Sequence, residues 1–119
     1  MNKNDLINRT KLFAYACIDL CMKLPTTYLG NHVKGQLIRA ATSVAANYRA
    51  VNHAQSKASF IAKISIVVEE CDESEFWLQL IIDKNLLPKE EVNIVLKEGN
   101  ELTSIFVSSR RTAVANQNK

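Results

Sequence analysis

A chain of 119 residues with 47% hydrophobic and 23% charged side chains has the size and composition of one soluble globular domain, and is too short for two. Three glycines and two prolines leave little strand or turn punctuation, so long helices are favoured and an all-α fold is expected. The net charge of +3 is mild, no run of about 18 apolar residues is present to span a bilayer, and Met1 to Asp5 lacks a signal peptide's apolar stretch, which together predict a cytoplasmic protein with no membrane partner.

Leu6, Phe13, Cys17, Leu20 and Leu24 recur at spacings of seven, four and three, which predicts a helix over about residues 4–23, ended by Pro25. The segment from Pro25 to Gly30 reads as a short connection, with Asn31 as N-cap of the next helix. That second helix, over about 32–54, carries Leu37, Ala41, Val44, Tyr48 and Val51 as its stripe. Ala40, Ala45 and Ala46 beside them are small enough to let other helices approach closely.

Ser56 caps a third helix over about 57–84, whose seam is Phe60, Ile64, Val67, Cys71, Ser74, Leu78 and Ile81. Ile61, Ile66, Val68, Phe76, Trp77, Leu80 and Ile82 lie outside that seam. A helix apolar over so much of its circumference needs more than one neighbour, so self-association is expected. A fourth helix over about 88–111 starts at Pro88, with Glu90 and Glu91 at its positive end. Its stripe is Val92, Val95, Gly99, Leu102, Phe106 and Ser109, with Gly99 permitting close contact, and a polar tail follows over 112–119. Four such helices make an antiparallel up-down-up-down four-helix bundle the economical architecture.

The chemistry-bearing residues form few catalytic patterns. Glu70 and Glu73 have the spacing of three used in di-iron bundles, but neither is followed by histidine at that offset, and His32 and His53 lie on another helix, so no metal or other cofactor is expected. No phosphate-cradling glycine loop is present, no orienting acid stands near either histidine, and a non-enzymatic protein is the expectation. Cys17, Cys21 and Cys71 are odd in number and sit in apolar runs, which reads as buried free thiols.

Charge is segmented along the chain. Residues 1–55 hold seven basic and two acidic side chains, residues 56–101 five and ten, and residues 102–119 three and none. Such asymmetry either builds a basic face or pairs one helix with the next. Arg39, Ser43 and Asn47 share one face of the second helix, and Glu70, Glu73 and Trp77 one face of the third. We read these six as a structural network in which a partly buried guanidinium is offset by carboxylates and shielded by the indole. For nucleic acid the candidate contacts are Lys34, Arg49, Lys57 and Lys63, with Arg110 and Arg111 at the end of the fourth helix, and they multiply if identical subunits form a ring.

The run from Gly30 through Ser43, followed by Asn47-Tyr48-Arg49, Ser56, Phe60-Ile61-Ala62-Lys63, Glu69-Glu70 and Trp77-Leu78, resembles a family of bacterial four-helix-bundle proteins encoded in intervening sequences of large-subunit ribosomal RNA genes, also labelled ribosomal proteins. The resemblance covers essentially the whole chain, although the first and fourth helices match only in pattern. It implies a left-handed antiparallel bundle assembled as a homopentamer, and kinship to the accessory variability protein of diversity-generating retroelements, a protein thought to contact a reverse transcriptase and nucleic acid through a basic surface. By the same resemblance Arg39, Ser43, Asn47, Glu70 and Trp77 are framework residues. His53 departs from the pattern, standing where close relatives are expected to carry a basic residue. Two functions follow as expectations: RNA association through a basic surface repeated around a ring, or a protein-interaction scaffold that docks a partner without nucleic acid.

Overall fold

The computed structural model describes residues 1–117 and contains four α-helices and no strand among them: α1 (Lys3–Cys21), α2 (Tyr28–Val51), α3 (Lys57–Asp83) and α4 (Lys89–Gln117). They pack antiparallel as a four-helix bundle 51 Å long and about 22 Å across, each helix touching the one before and after it and α1 closing against α4. The expected architecture is the one observed. Every member of the α3 seam from Ile64 to Ile81 is buried, as are Leu37, Ala41, Val44, Tyr48 and Val51 of α2 and Phe13, Cys17 and Leu20 of α1. No helix among the described residues is long and apolar enough to cross a membrane.

Local rules set the helix ends. Asn2 and Asp5 form a reciprocal capping box at the start of α1, and the Ser56 side chain accepts from the Ser59 amide at the start of α3. At the end of α3 the amides of Asn85 and Leu86 return to the carbonyls of Ile82 and Ile81, both at 3.0 Å, with Asn85 at φ 54. This is a Schellman closure, in which asparagine takes the left-handed position usually given to glycine. Leu86 then packs back on the core.

Two boundaries differ from the sequence expectation. α2 starts at Tyr28, four residues before His32, because the Thr27 hydroxyl, not Asn31, accepts from the Gly30 amide at 3.0 Å. Gly30 lies in this first turn pressed against the preceding loop, and a Cβ there would stand 1.9 Å from the Pro25 carbonyl oxygen. α4 continues through most of the expected polar tail to Gln117. Ala113 and Ala115 sustain the helix, and the Lys57 ammonium donates to the Asn116 carbonyl at 3.2 Å, satisfying one of the acceptors a helix end leaves open. Asn118 and Lys119 lie outside the described residues.

Gly99 sets how closely α4 approaches its neighbours. A Cβ at this position would lie 3.2 Å from the Phe13 ring of α1 and 3.3 Å from Glu75 Cγ of α3, and Phe13 is itself buried. Gly99→Ala should therefore cost stability although alanine is the better helix former by about 1 kcal/mol, because the aromatic ring has no room to retreat. Gly30→Ala, which meets backbone rather than side chain, should cost more, about 2 kcal/mol or above. Urea unfolding followed by circular dichroism ranks the two.

Candidate nucleic-acid interface

Basic side chains of the first half of the chain meet acidic ones of the second across helix boundaries. Arg9 on α1 donates to Glu98 on α4 at 2.5 and 3.0 Å and reaches Glu101 at 3.1 Å, while Lys23 pairs with Glu91. Hydrogen bonding to Glu98 outweighs desolvation and holds the Arg9 guanidinium charged. On the opposite seam Arg39 of α2 pairs with Glu73 and, at 3.3 Å, with Glu70 of α3. Pairing of neighbouring helices thus accounts for three of the basic residues in the first segment.

Arg39, Glu70, Glu73 and Trp77 stand together, Trp77 donating its indole N–H to Glu73 at 3.2 Å and meeting the His32 ring edge-on at 5.5 Å. The guanidinium lies at the surface, however, with the Arg39 side chain 49% exposed. Helices separated by a full interhelical spacing present their flanking positions to solvent, which is why this ladder is a rim and not a partly buried core network. Ser43 and Asn47 do not join it: the Asn47 amide donates to the Ser43 carbonyl one turn back, at 2.8 Å. The buried polar side chains are Thr10 and Ser74, whose hydroxyls also return to carbonyls of their own helices.

The three cysteines are free and buried. Burial pushes the Cys21 thiol up to about 11, against the opposing charge of Lys34, and the Cys71 thiol up to about 12, with Cys17 raised further still. All three are therefore protonated at neutral pH and packed as small apolar groups.

The antiparallel course gathers six of the unpaired cations. One end of the bundle is built from the start of α1, the end of α2, the start of α3 and the end of α4, and it brings together Lys3, Arg49, Lys57, Lys63, Arg110 and Arg111 against Asp5 alone. None of the six enters an ion pair among the described residues, and Lys3, Arg49, Lys57 and Arg111 are exposed. Of the four candidate contacts, Arg49, Lys57 and Lys63 belong to this pole. Lys34 does not, standing half-buried near the other end of α2, fifteen residues or about 22 Å away. Around the middle of the bundle the sign reverses, with Glu69, Glu70, Asp72, Glu73, Glu75, Glu98 and Glu101 forming an acidic waist.

Two of the grooves on the surface differ in charge. The one between α1 and α2, about 220 Å³, has Ile7, Ala14 and Ala45 on its floor and Lys11, Tyr15 and Arg49 at its rim. The other, about 410 Å³ between α3 and α4, is lined by Asp72 and Glu75 beside Phe76 and Leu96, and its carboxylates repel an anion. Burial raises the Glu75 carboxyl and Asp72 raises it further, against the hydrogen bond from Thr103.

A model of the 23S rRNA-intervening sequence protein family matches residues 2–108, nearly the whole chain. The chain belongs to that family. Its fold is similar to the crystal structure of a protein of unknown function from the S23 ribosomal protein family, from Bacteroides thetaiotaomicron, with a TM-score of 0.81 and 28% identity over 87% of this chain and 96% of that one. No curated protein matches it.

Glu73 supplies a test of the rim. Burial pushes its carboxyl up, but hydrogen bonds from Trp77 and Arg39 together with the Arg39 charge outweigh this and hold it below the ordinary 4.5. A carboxyl depressed in the folded state stabilises fully above its unfolded value, and that contribution is lost as pH falls through the lower folded value. Acid titration followed by carboxyl NMR should place Glu73 below 4.5 in the parent and closer to 4.5 in Trp77→Phe, which keeps the ring and deletes the donor.

Proposed function

We propose that this family member is a non-enzymatic, self-associating bundle of the cytoplasm that holds RNA against its basic pole. The observation that carries the reading is the pole itself: six cations drawn from all four helices near one end of the bundle, none in an ion pair among the described residues, with the acidic waist beyond them. Phosphate binding needs clustered cations and releases counterions, so this arrangement suits a polyanion without any cofactor. The family's description gives where its members are encoded, in intervening sequences of ribosomal RNA genes, and structured RNA is taken as the polyanion from the charge of the pole. The contacts are Arg49, Lys57 and Lys63, supported by Lys3, Arg110 and Arg111.

Self-association would multiply the pole. Phe76 is 58% exposed and Ile66 41% exposed on α3, an apolar surface the single bundle leaves uncovered. Five copies, as the family resemblance implies, would repeat the cations around one axis. The same exposed residues favour a second reading, in which the bundle is a scaffold that docks a protein such as a reverse transcriptase and touches no nucleic acid.

Equilibrium binding of a structured ribosomal RNA fragment across a salt series separates the two. Affinity should fall steeply with salt, and Arg49→Glu, Lys57→Glu and Lys63→Glu should each reduce the log-log slope by about one unit. Lys34→Glu, at the other end of α2, should leave the slope unchanged. A protein that binds no RNA at low salt, yet still captures a partner after nuclease treatment, is the scaffold.

A further inference from the structure

The groove between α1 and α2 joins the basic pole through Arg49, and it differs from the pole in kind. Its floor of Ile7, Ala14 and Ala45 is apolar, and the alanines leave open a slot about as long as two helical turns. Tyr15 is 53% exposed beside that slot, its ring presented rather than packed. Lys11 from one helix and Arg49 from the other flank it, both exposed and neither held by a carboxylate among the described residues. No acidic residue lines the groove.

An apolar slot with an aromatic platform and two cations at its rim matches a flat ring system carrying phosphate on either side. The volume of about 220 Å³ lies below the roughly 300 Å³ at which pockets for drug-sized ligands begin, and accommodates a single ring system. A duplex presents its phosphates but keeps its bases stacked, so it would use the pole and leave the groove empty. A nucleotide in a bulge or loop has no such restraint, and unpaired bases are commonly held by aromatic rings with backbone phosphates on nearby cations. We propose that this groove takes one unpaired nucleotide of an RNA, its base stacked on Tyr15 and its flanking phosphates on Lys11 and Arg49. The inference rests on the basic-pole reading and adds to it a preference for interrupted over continuous helices.

The test compares two hairpin RNAs of identical stem, one perfectly paired and one with a single bulged 4-thiouridine. The bulged hairpin should bind roughly tenfold tighter, in line with the gain from stacking one base, and irradiation should crosslink the thio-base to a peptide containing Tyr15. Tyr15→Ala should abolish that preference and keep the salt slope, whereas Tyr15→Phe should retain both. Equal binding of the two hairpins with no crosslink in α1 or α2 would overturn the groove assignment and leave the pole standing. Binding of neither hairpin would overturn both readings together. A shift in oligomer size of Tyr15→Ala on gel filtration would show that the groove is a contact between copies, which also overturns it.

Discussion

The structure depends on one constraint: α3 must bury a seam shared by two neighbours. Ile64, Val67, Cys71, Ser74, Leu78 and Ile81 are all buried, and α2 and α4 cover them from either side. Burying its Ile, Val and Leu side chains contributes on the order of 1.5–3 kcal/mol each, more than a surface ion pair typically does. With α2 and α4 fixed to α3, α1 has only the remaining gap to fill. Its closure against α4 is correspondingly lighter in apolar contact and is flanked by Arg9 with Glu98 and Glu101 and by Lys23 with Glu91. Those pairs orient α1 more than they hold it, since each keeps substantial exposure.

The same ion pairs shape the outer field. Arg9, Lys23 and Arg39 are satisfied within the bundle, so their charge is largely screened before it reaches solvent. The pole has no equivalent partners: its helices carry no acid from Ala46 to Lys63 and none from Ile105 to Gln117. Repulsion among these cations is tolerable because they ring the end of a bundle about 22 Å across, where water and salt screen them. An incoming polyanion meets the positive end first and the acidic waist only beyond it, which orients the approach end-on.

Much of this architecture was legible in the sequence because the periodicities are long and uninterrupted. The α3 seam, the buried cysteines and the role of Gly99 follow from spacing alone. The start of α2 did not, because Thr27 and Asn31 are both good N-caps and the choice depends on how the loop folds back, with Gly30 clearing the Pro25 carbonyl. The end of α4 was hidden for a similar reason, since Lys57 supports its last turn from another helix. Arg39 was legible as a partner of Glu70 and Glu73 but not as a surface group, because spacing gives the face of a helix and not how far the next one stands away. Summing charge in blocks along the chain hides the pole as a unit, although Arg49, Lys57, Lys63, Arg110 and Arg111 stand out singly as candidate contacts. Folding the same sequence back at each connection brings Lys3, Arg49, Lys57 and Arg110 to one end, a signal present in the residues once the bundle topology is granted.

In the role proposed, six cations on one chain would make a weak, salt-sensitive site, because each phosphate contact is individually slight and sequence-blind. Two features of this fold answer that weakness differently. Repetition in an assembly would raise strength without adding discrimination, since linked copies bind at high effective concentration but read the same backbone. Discrimination needs a feature that a regular duplex cannot satisfy, and an apolar slot beside Tyr15 is of that kind, because filling it requires a base already released from its stack. The division follows from the bundle itself: helix ends expose charge, while the long furrow between two alanine-bearing helices exposes a shallow apolar floor.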